Sequence, residues 1–275
     1  MDILSHFPLR KFILVAIVTH LASPLTMPLA AQPHASQPHA SQPLLQRLKS
    51  KHEAFWNDAF GTTQWRNSAF AFVVVKKTEM LYVVRQGTGR DTIASFPICA
   101  METSPGFKER QGDGRTPDGI YKISLLNPGS SYHLSMKINY PNAVDNARHA
   151  RLTRLRGERW SQGGDIFIHG RCVTVGCIAM TDDVIEKLYL LVASLPADRR
   201  SIPVMVLPFD DEAHYQQMFF HADKQLGITH DPYWLLLREH IDNMRTLWRS
   251  FRGTGRVPVP VPTVEGLYTL PAIDD

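Results

Sequence analysis

The chain has 275 residues, enough for one large domain or two small ones, and its apolar fraction of 44% is that of an ordinary globular protein. A formal charge of +4, scattered without any Lys/Arg block, speaks against nucleic-acid binding and is compatible with an anionic envelope. Three cysteines, Cys99, Cys172 and Cys177, make an odd count that fits one disulfide plus one functional thiol.

Arg10-Lys11, the apolar run Phe12 to Ala22 and the small residues Ala30-Ala31 have the layout of a secretory signal. Residues 1–31 are therefore read as a leader cut after Ala31. The run falls short of the roughly 20 residues that a bilayer crossing needs, which predicts no stable membrane span. Residues 32–43 contain Gln-Pro-His-Ala-Ser twice and form a polar, extended spacer. Leu44, Leu45, Leu48 and Phe55 recur at helical spacing, so residues 44–67 are assigned to an N-terminal helix. Ala69 to Val75 and Met80 to Arg85 flank Lys76-Lys77-Thr78-Glu79 and read as a hairpin. Gly87-Thr88-Gly89 turns the chain into a strand from Thr92 to Cys99. Residues 102–118 form a polar loop, and Pro117-Asp118-Gly119 turns it into a strand from Ile120 to Leu126. Residues 127–163 show no period and are expected to run irregularly over a substrate cleft.

Ile166-Phe167-Ile168 reads as a buried strand. Thr181-Asp182-Asp183 caps a helix that reaches Leu195, with Val184, Ile185, Leu188, Leu191 and Val192 on one face. Ser201 to Leu207 is a closing strand. Asp231-Pro232 starts an amphipathic helix through Trp234, Leu237, Ile241, Met244, Trp248 and Phe251, whose apolar stripe is expected to pack on the core. Val257 to Pro262 is an extended tail. The sum is a mainly β protein with helices, of α+β class, with a helical C-terminal extension and tail over residues 209–275.

The chemistry concentrates in Ile168 to Met180, where His169 and Cys177 stand eight residues apart at the two ends of one loop. A helix start shortly after Cys177 and a nearby imidazole both favour thiolate over thiol. That pair is the minimal apparatus for covalent acyl transfer, with Cys177 as nucleophile and His169 as base. Gly176 permits close backbone approach and frees the amides near Cys177 for a developing oxyanion, and the Thr174 hydroxyl can add a hydrogen bond. Zinc is the rival reading, through His169, Cys172 and Cys177 with a fourth ligand from His133 or His149. The chain has no paired C-x-x-C, so neither a metal nor a cofactor is expected. The Gly112 to Gly114 loop lacks the Gly-Lys-Ser/Thr ending of a phosphate cradle and reads as a turn that shapes a cleft wall. Lys108 and Arg115 near that loop, Tyr132, His133 and Tyr140 on the covering segment, and Arg171 are candidate substrate contacts. If Cys177 is the nucleophile, Cys99 and Cys172 remain to pair; a Cys172–Cys177 bridge or three free thiols stay open.

Two stretches carry a resemblance. His169-Gly170 with Thr174-Val175-Gly176-Cys177-Ile178-Ala179-Met180, and Gly112-Asp113-Gly114-Arg115-Thr116-Pro117-Asp118-Gly119-Ile120-Tyr121, are similar to the signatures of the L,D-transpeptidase (YkuD) catalytic-domain family, most of all its YafK-like branch. The resemblance covers residues 68–208 and implies a β-sandwich-like catalytic fold, with a backbone carbonyl at Gly170 orienting the imidazole. It also implies peptidoglycan stem peptides as substrate, attacked at an amide of the third-position diamino acid through a thioacyl-enzyme on Cys177. An amine acceptor then gives a crosslink and water gives hydrolysis. Release of a lipoprotein or D-amino acid from peptidoglycan is the alternative activity, and a non-catalytic wall-binding protein on the same fold is the non-enzymatic one. Most of the family has His where Val175 stands and Arg where Ala179 stands; the YafK-like branch lacks both. The implied location is the periplasm or cell envelope, with peptidoglycan and a peptidoglycan-linked lipoprotein as partners.

Overall fold

Phe70–Val75 (β1) is buried at every position, which a strand reaches only when both faces of its sheet are covered. Its period of two sends Phe70, Phe72 and Val74 into one core and Ala71, Val73 and Val75 into another. The rest of the molecule is built around that division. The computed structural model describes residues 41–60, 69–87, 91–220, 231–258, 261–263 and 267–269. The expectations for the leader 1–31 and for most of the spacer lie outside the described residues.

Met80–Arg85 (β2) pairs antiparallel with β1 and with Thr92–Pro97 (β3), as the hairpin signal predicts. Gly119–Asn127 (β4), Ser135–Ile138 (β5), Phe167–His169 (β6), Ile178–Ala179 (β7) and Pro203–Leu207 (β8) complete an eight-stranded mixed sheet in the order β3-β2-β1-β8-β4-β5-β6-β7. A register shift between Ile123 and Leu125 lets β4 pair with β8 through its first half and with β5 through its second. The sheet curls until its ends meet. Ala179 of β7 bridges Ala100 just beyond β3, with Cys99 N–H donating to the Ala179 carbonyl at 2.8 Å and Ala179 N–H to the Ala100 carbonyl at 2.9 Å. A Cys99–Cys172 disulfide fastens the same junction.

Inside the curl, Asp182–Ala193 (α4) is capped by the Thr181 hydroxyl and buries Ile185, Leu188, Leu191 and Val192, as its periodicity predicts. The N-terminal segment is two helices rather than one. Gln42–Lys51 (α1) and Glu53–Phe60 (α2) break at His52, whose imidazole turns inward to the carboxylate of Glu186 at 2.6 Å. On the outer face, Glu212–Phe220 (α5) and Pro232–Thr254 (α6) lie over the second core. Asp231 caps α6, and Trp234, Ile241, Met244, Leu247, Trp248 and Phe251 of its stripe are buried with β1 and β8.

Residues 127–163 differ from the irregular segment expected of them. They hold β5 and a helix, Ala143–Arg156 (α3), opened by a reciprocal cap between Asn142 and Asp145. Its inner face interrupts the apolar Val144 and Leu152 with a polar pair: Asp145 and Arg148 are both buried, Tyr121 donates to Asp145 at 3.2 Å, and Arg148 lies over the Phe107 ring.

Candidate active site

Strand register assembles the site. Ile168 and Met136 oppose each other and enter the inner core, so their alternating neighbours face outward. On β5 these are Ser135 and Lys137; on β6 they are His169 and Phe167, opposite Ser135 and Lys137 respectively. β7 runs parallel to β6 with Ala179 beside His169 and Ile178 beside Ile168, which brings Cys177 level with Phe167. The Phe167 amide duly donates to the Cys177 sulfur at 3.4 Å. Cys177 and His169 therefore stand on one sheet face, two positions apart on neighbouring strands. Both line a cleft of about 540 Å³ with Thr174, Tyr132, Asp165 and Ser135.

The His169 ring is held in a defined tautomer. Its Nδ1 lies 2.7 Å from the Gly170 carbonyl, which can only accept, so Nδ1 carries the proton and Nε2 keeps its lone pair. Tyr132 lies over the ring, centroids 4.8 Å apart, and its carbonyl accepts the Gly170 N–H at 3.1 Å. Burial pulls the imidazole below its usual range against the opposing effect of the Gly170 hydrogen bond, so the ring is a neutral base at neutral pH.

Cys177 is the free cysteine of the described residues. Burial pushes its thiol above the usual value, although the Phe167 amide and the Thr174 hydroxyl both pull the other way. The sequence leads one to expect a thiolate favoured by a helix dipole. Instead Cys177 sits at the sheet, five residues ahead of the first residue of α4, and desolvation wins. Its S–H points to the Asp165 carbonyl at 3.6 Å. Its own amide donates to the Thr174 hydroxyl at 2.8 Å and so is not turned to the cleft as expected.

The Gly112 to Tyr121 stretch braces this loop from behind. The Asp113 carboxylate accepts the Glu109, Arg110 and Arg115 amides at 2.8, 3.0 and 3.0 Å and pairs with Lys108. The fully buried Thr116 donates its hydroxyl to the Gly176 carbonyl at 3.1 Å. Gly176 itself has φ +95°, and a Cβ there would lie 3.0 Å from the Arg115 carbonyl, so both its conformation and its contact demand glycine. Beneath, Lys76 and Asp118 form a wholly buried ion pair at 2.9 Å, and the Lys76 ammonium also reaches the Thr116 carbonyl.

The remaining candidates divide. Tyr132 and Thr174 line the cleft. The Arg115 guanidinium donates to the Pro105 carbonyl at 3.3 Å, and Lys108 is held by Asp113; neither is part of the cleft lining. Tyr140 is buried in the inner core against Tyr121, and Arg171 is exposed with φ +67°, its amide donating to Asp182. His133 donates to Glu186 at 2.8 Å, and His149 faces the Trp160 carbonyl at 3.1 Å. Cys172 is joined to Cys99, their Cα atoms 5.1 Å apart, which removes it from any zinc set with His169 and Cys177. Among the described residues no group of three or more His, Cys, Asp or Glu side chains is placed to hold a metal ion. Sequence reasoning passed over Asp165, Ser135 and Phe167. Counting in steps of two from His169 finds Phe167 and Asp165.

Residues 70–206 match the model of the L,D-transpeptidase catalytic domain family, YkuD. YafK of Escherichia coli strain K12, classed with the L,D-transpeptidases, is 33% identical over 137 residues, which cover 49% of this chain and 51% of that protein. The chain thus spans about half the length of the curated relatives it matches. Among solved structures, the helical cell shape determining protein Pgp2 from Campylobacter jejuni is 20% identical, with a TM-score of 0.37 over 59% of this chain and 60% of that one. L,D-transpeptidase 1 from Mycobacterium tuberculosis is 15% identical, with a TM-score of 0.29 over 50% and 62%.

Proposed function

The chain belongs, through residues 70–206, to the L,D-transpeptidase catalytic-domain family, and from that premise we propose that it is a cysteine acyltransferase acting on peptidoglycan stem peptides. The observation that carries the reading is the shared cleft of Cys177, protonated at rest, and His169, whose Nε2 lone pair is available. A stem peptide that enters this cleft turns the thiol from the Asp165 carbonyl toward His169. The thiol proton passes to Nε2 as sulfur attacks the diamino acid's own amide carbonyl. The Thr174 hydroxyl accepts the Cys177 amide and keeps its own proton to give to the developing oxyanion. Collapse breaks the C–N bond, the leaving amine takes the proton from His169, and a thioester remains on Cys177. An acceptor amine or water then attacks that thioester, and the sulfur regains a proton as it leaves. On this reading residues 1–31 are an export leader, residues 32–43 a spacer, and the domain works in the cell envelope.

Hydrolysis is the second reading, and the residues beside the nucleophile favour it. Val175 is 82% exposed at the mouth, while Ala179 is fully buried with its backbone paired to Ala100. Neither offers a polar group to hold an amine acceptor against water. Release of a lipoprotein from peptidoglycan is a reaction of this kind. The test is to incubate the protein with lipoprotein-linked and with free peptidoglycan and to identify products by mass. New crosslinks identify the transferase, and shortened stems or freed lipoprotein the hydrolase. No product from either substrate, with Cys177 intact, would leave a wall-binding role.

A further inference from the structure

We propose that Glu186 is a positioning residue for the base: through His133 it fixes residues 132–134, which hold the His169 ring and the Gly170 unit that orients it. The inference rests on the acyl-transfer reading, in which His169 takes the thiol proton, and names what keeps that ring in place.

The connection runs through a short series of contacts. The Tyr132 ring lies over the His169 imidazole, centroids 4.8 Å apart. The Tyr132 and Leu134 carbonyls both receive the Gly170 amide, at 3.1 and 3.2 Å, and the Gly170 carbonyl receives the His169 Nδ1 proton. Residues 132–134 thus grip the base at its face and, through Gly170, at its rear. His133 stands between them, and its Nε2 donates to Glu186 Oε1 at 2.8 Å. His133 adopts φ +70°, where few non-glycine residues are found. Such a conformation persists where the surroundings dictate it, and Glu186 is the group that holds this side chain.

Glu186 is well placed for the task. Asp182 and Glu186 are one turn apart on α4 and share a face. Asp182 receives the Arg171 amide at 2.8 Å, and a Cβ at Gly170 would lie 2.6 Å from its carboxylate. One turn of α4 therefore braces both segments that flank the base. Burial makes the brace firm. Beside the nucleophile, the Lys137–Asp165 pair leaves Asp165 78% exposed, and a pair so open fixes little. The Glu186 side chain is 6% exposed, and its other oxygen is taken by Lys51 and His52, each at 2.6 Å. Burial alone would raise this carboxyl, but the hydrogen bonds from Lys51, His52 and His133 bring it down to about 2. It stays an ionised acceptor for His133 throughout the neutral range.

Two readouts on the full-length protein test this. The burst of nitrophenolate from p-nitrophenyl acetate, absent from Cys177→Ala, reads acylation of Cys177. Imidazole nitrogen NMR reads the tautomer of His169, whatever the reaction. His133→Ala should slow the burst about 10–100-fold, the scale of a small misplacement of a reacting group, with the half-saturating ester concentration unchanged. The Nε2–H tautomer of His169 should appear beside the Nδ1–H form. Glu186→Gln should do the same, and the double variant should be no slower than the slower single, because both act through one contact. His133→Gln, whose amide donates where Nε2 does, should recover most of the rate. Lys51→Met removes a partner from the other Glu186 oxygen and should leave the burst unchanged. Additive losses in the double variant, an equal loss in Lys51→Met, or an unaltered His169 tautomer in His133→Ala overturns the positioning role. If Glu186→Gln does not fold, His133→Ala and its rescue by His133→Gln decide. No burst from the parent overturns acyl transfer, and the spectra then judge the positioning of the ring by themselves.

Discussion

One sheet face in this molecule has two fates. Over β1 and β8 it presents Ala71, Val73, Val75, Met205 and Leu207, and α5 and α6 lie across them. Over β5, β6 and the approach to β7 it presents Ser135, Lys137, Phe167, His169 and Cys177, and a cleft remains there. The backbone pleat is the same in both regions; cover and chemistry differ. Where the outward residues are apolar, burial against a bulky helix stabilises the fold at roughly 25 cal/mol for each Å² removed from water. Where they are a thiol, an imidazole and a charged pair, the same cover would strand polar groups, so the face stays accessible. The inner core beneath is common to both, and it lets the open half keep a fixed geometry.

The comparison breaks most sharply at Cys177. Cys177→Ala should abolish turnover and labelling by acylating inhibitors without lowering the melting temperature, whereas Cys99→Ala should leave Cys177 labelled; label found on Cys172 instead would refute the assignment. His169→Ala should slow acylation by about 10²–10⁴, the usual worth of a general base. Near-normal rates in single-turnover kinetics would move that role to another group. The covered half should respond in the opposite sense. Leu247→Ala, fully buried in α6, should cost about 2–5 kcal/mol in denaturant unfolding yet leave the labelling rate of folded protein unchanged. Gly176→Ala spans both halves of the argument. It places a Cβ against the Arg115 carbonyl in a left-handed residue, at about 1–3 kcal/mol, and should reduce turnover more than stability. The smallest effect is a displacement of pH limbs. Burial lowers the His169 imidazole, which must be neutral to act, so the acid limb of turnover should lie below that of a free imidazole. Burial raises the Cys177 thiol, so its alkylation rate should go on rising past the pH at which a free cysteine levels off. An alkylation plateau at neutral pH would reveal a thiolate–imidazolium pair and overturn the neutral resting state.

Much of this was legible in the chain. β1 with β2, α4 and α6 announce themselves through period and caps, because their burial is apolar and local. The nucleophile and base announce themselves by residue type within one loop. α3 was hard to read from apolar period, since Asp145 and Arg148 share its inner face with Val144 and Leu152; the Asn142 to Asp145 cap was its signal. The break at His52 depends on Glu186, distant in sequence, and so leaves no local trace. Tyr140 resembles a substrate contact until its pairing with Tyr121 is seen. Charge is equally opaque in one dimension. The cluster of Lys51, His52 and His133 around Glu186 overcomes the effect of burial and draws that carboxyl down to about 2. The thiol of Cys177 moves the other way because burial outweighs the Phe167 amide and the Thr174 hydroxyl that oppose it.

That protonated thiol also guards its neighbour. Cys172 lies five residues before Cys177 and is bound to Cys99 across the closing seam of the sheet. Disulfides are shuffled by thiolates, and the attacking fraction falls as a thiol's pKa rises above the ambient pH. A nucleophile ionised at rest would share one loop with a reducible bond and have the means to attack the Cys172 sulfur, releasing Cys99 and sealing its own sulfur. Kept as S–H against the Asp165 carbonyl, it is a poor exchanger until a substrate and His169 take its proton. The arrangement thus separates two sulfur chemistries within one loop, and lets three cysteines keep a single pairing while one of them stays ready to react.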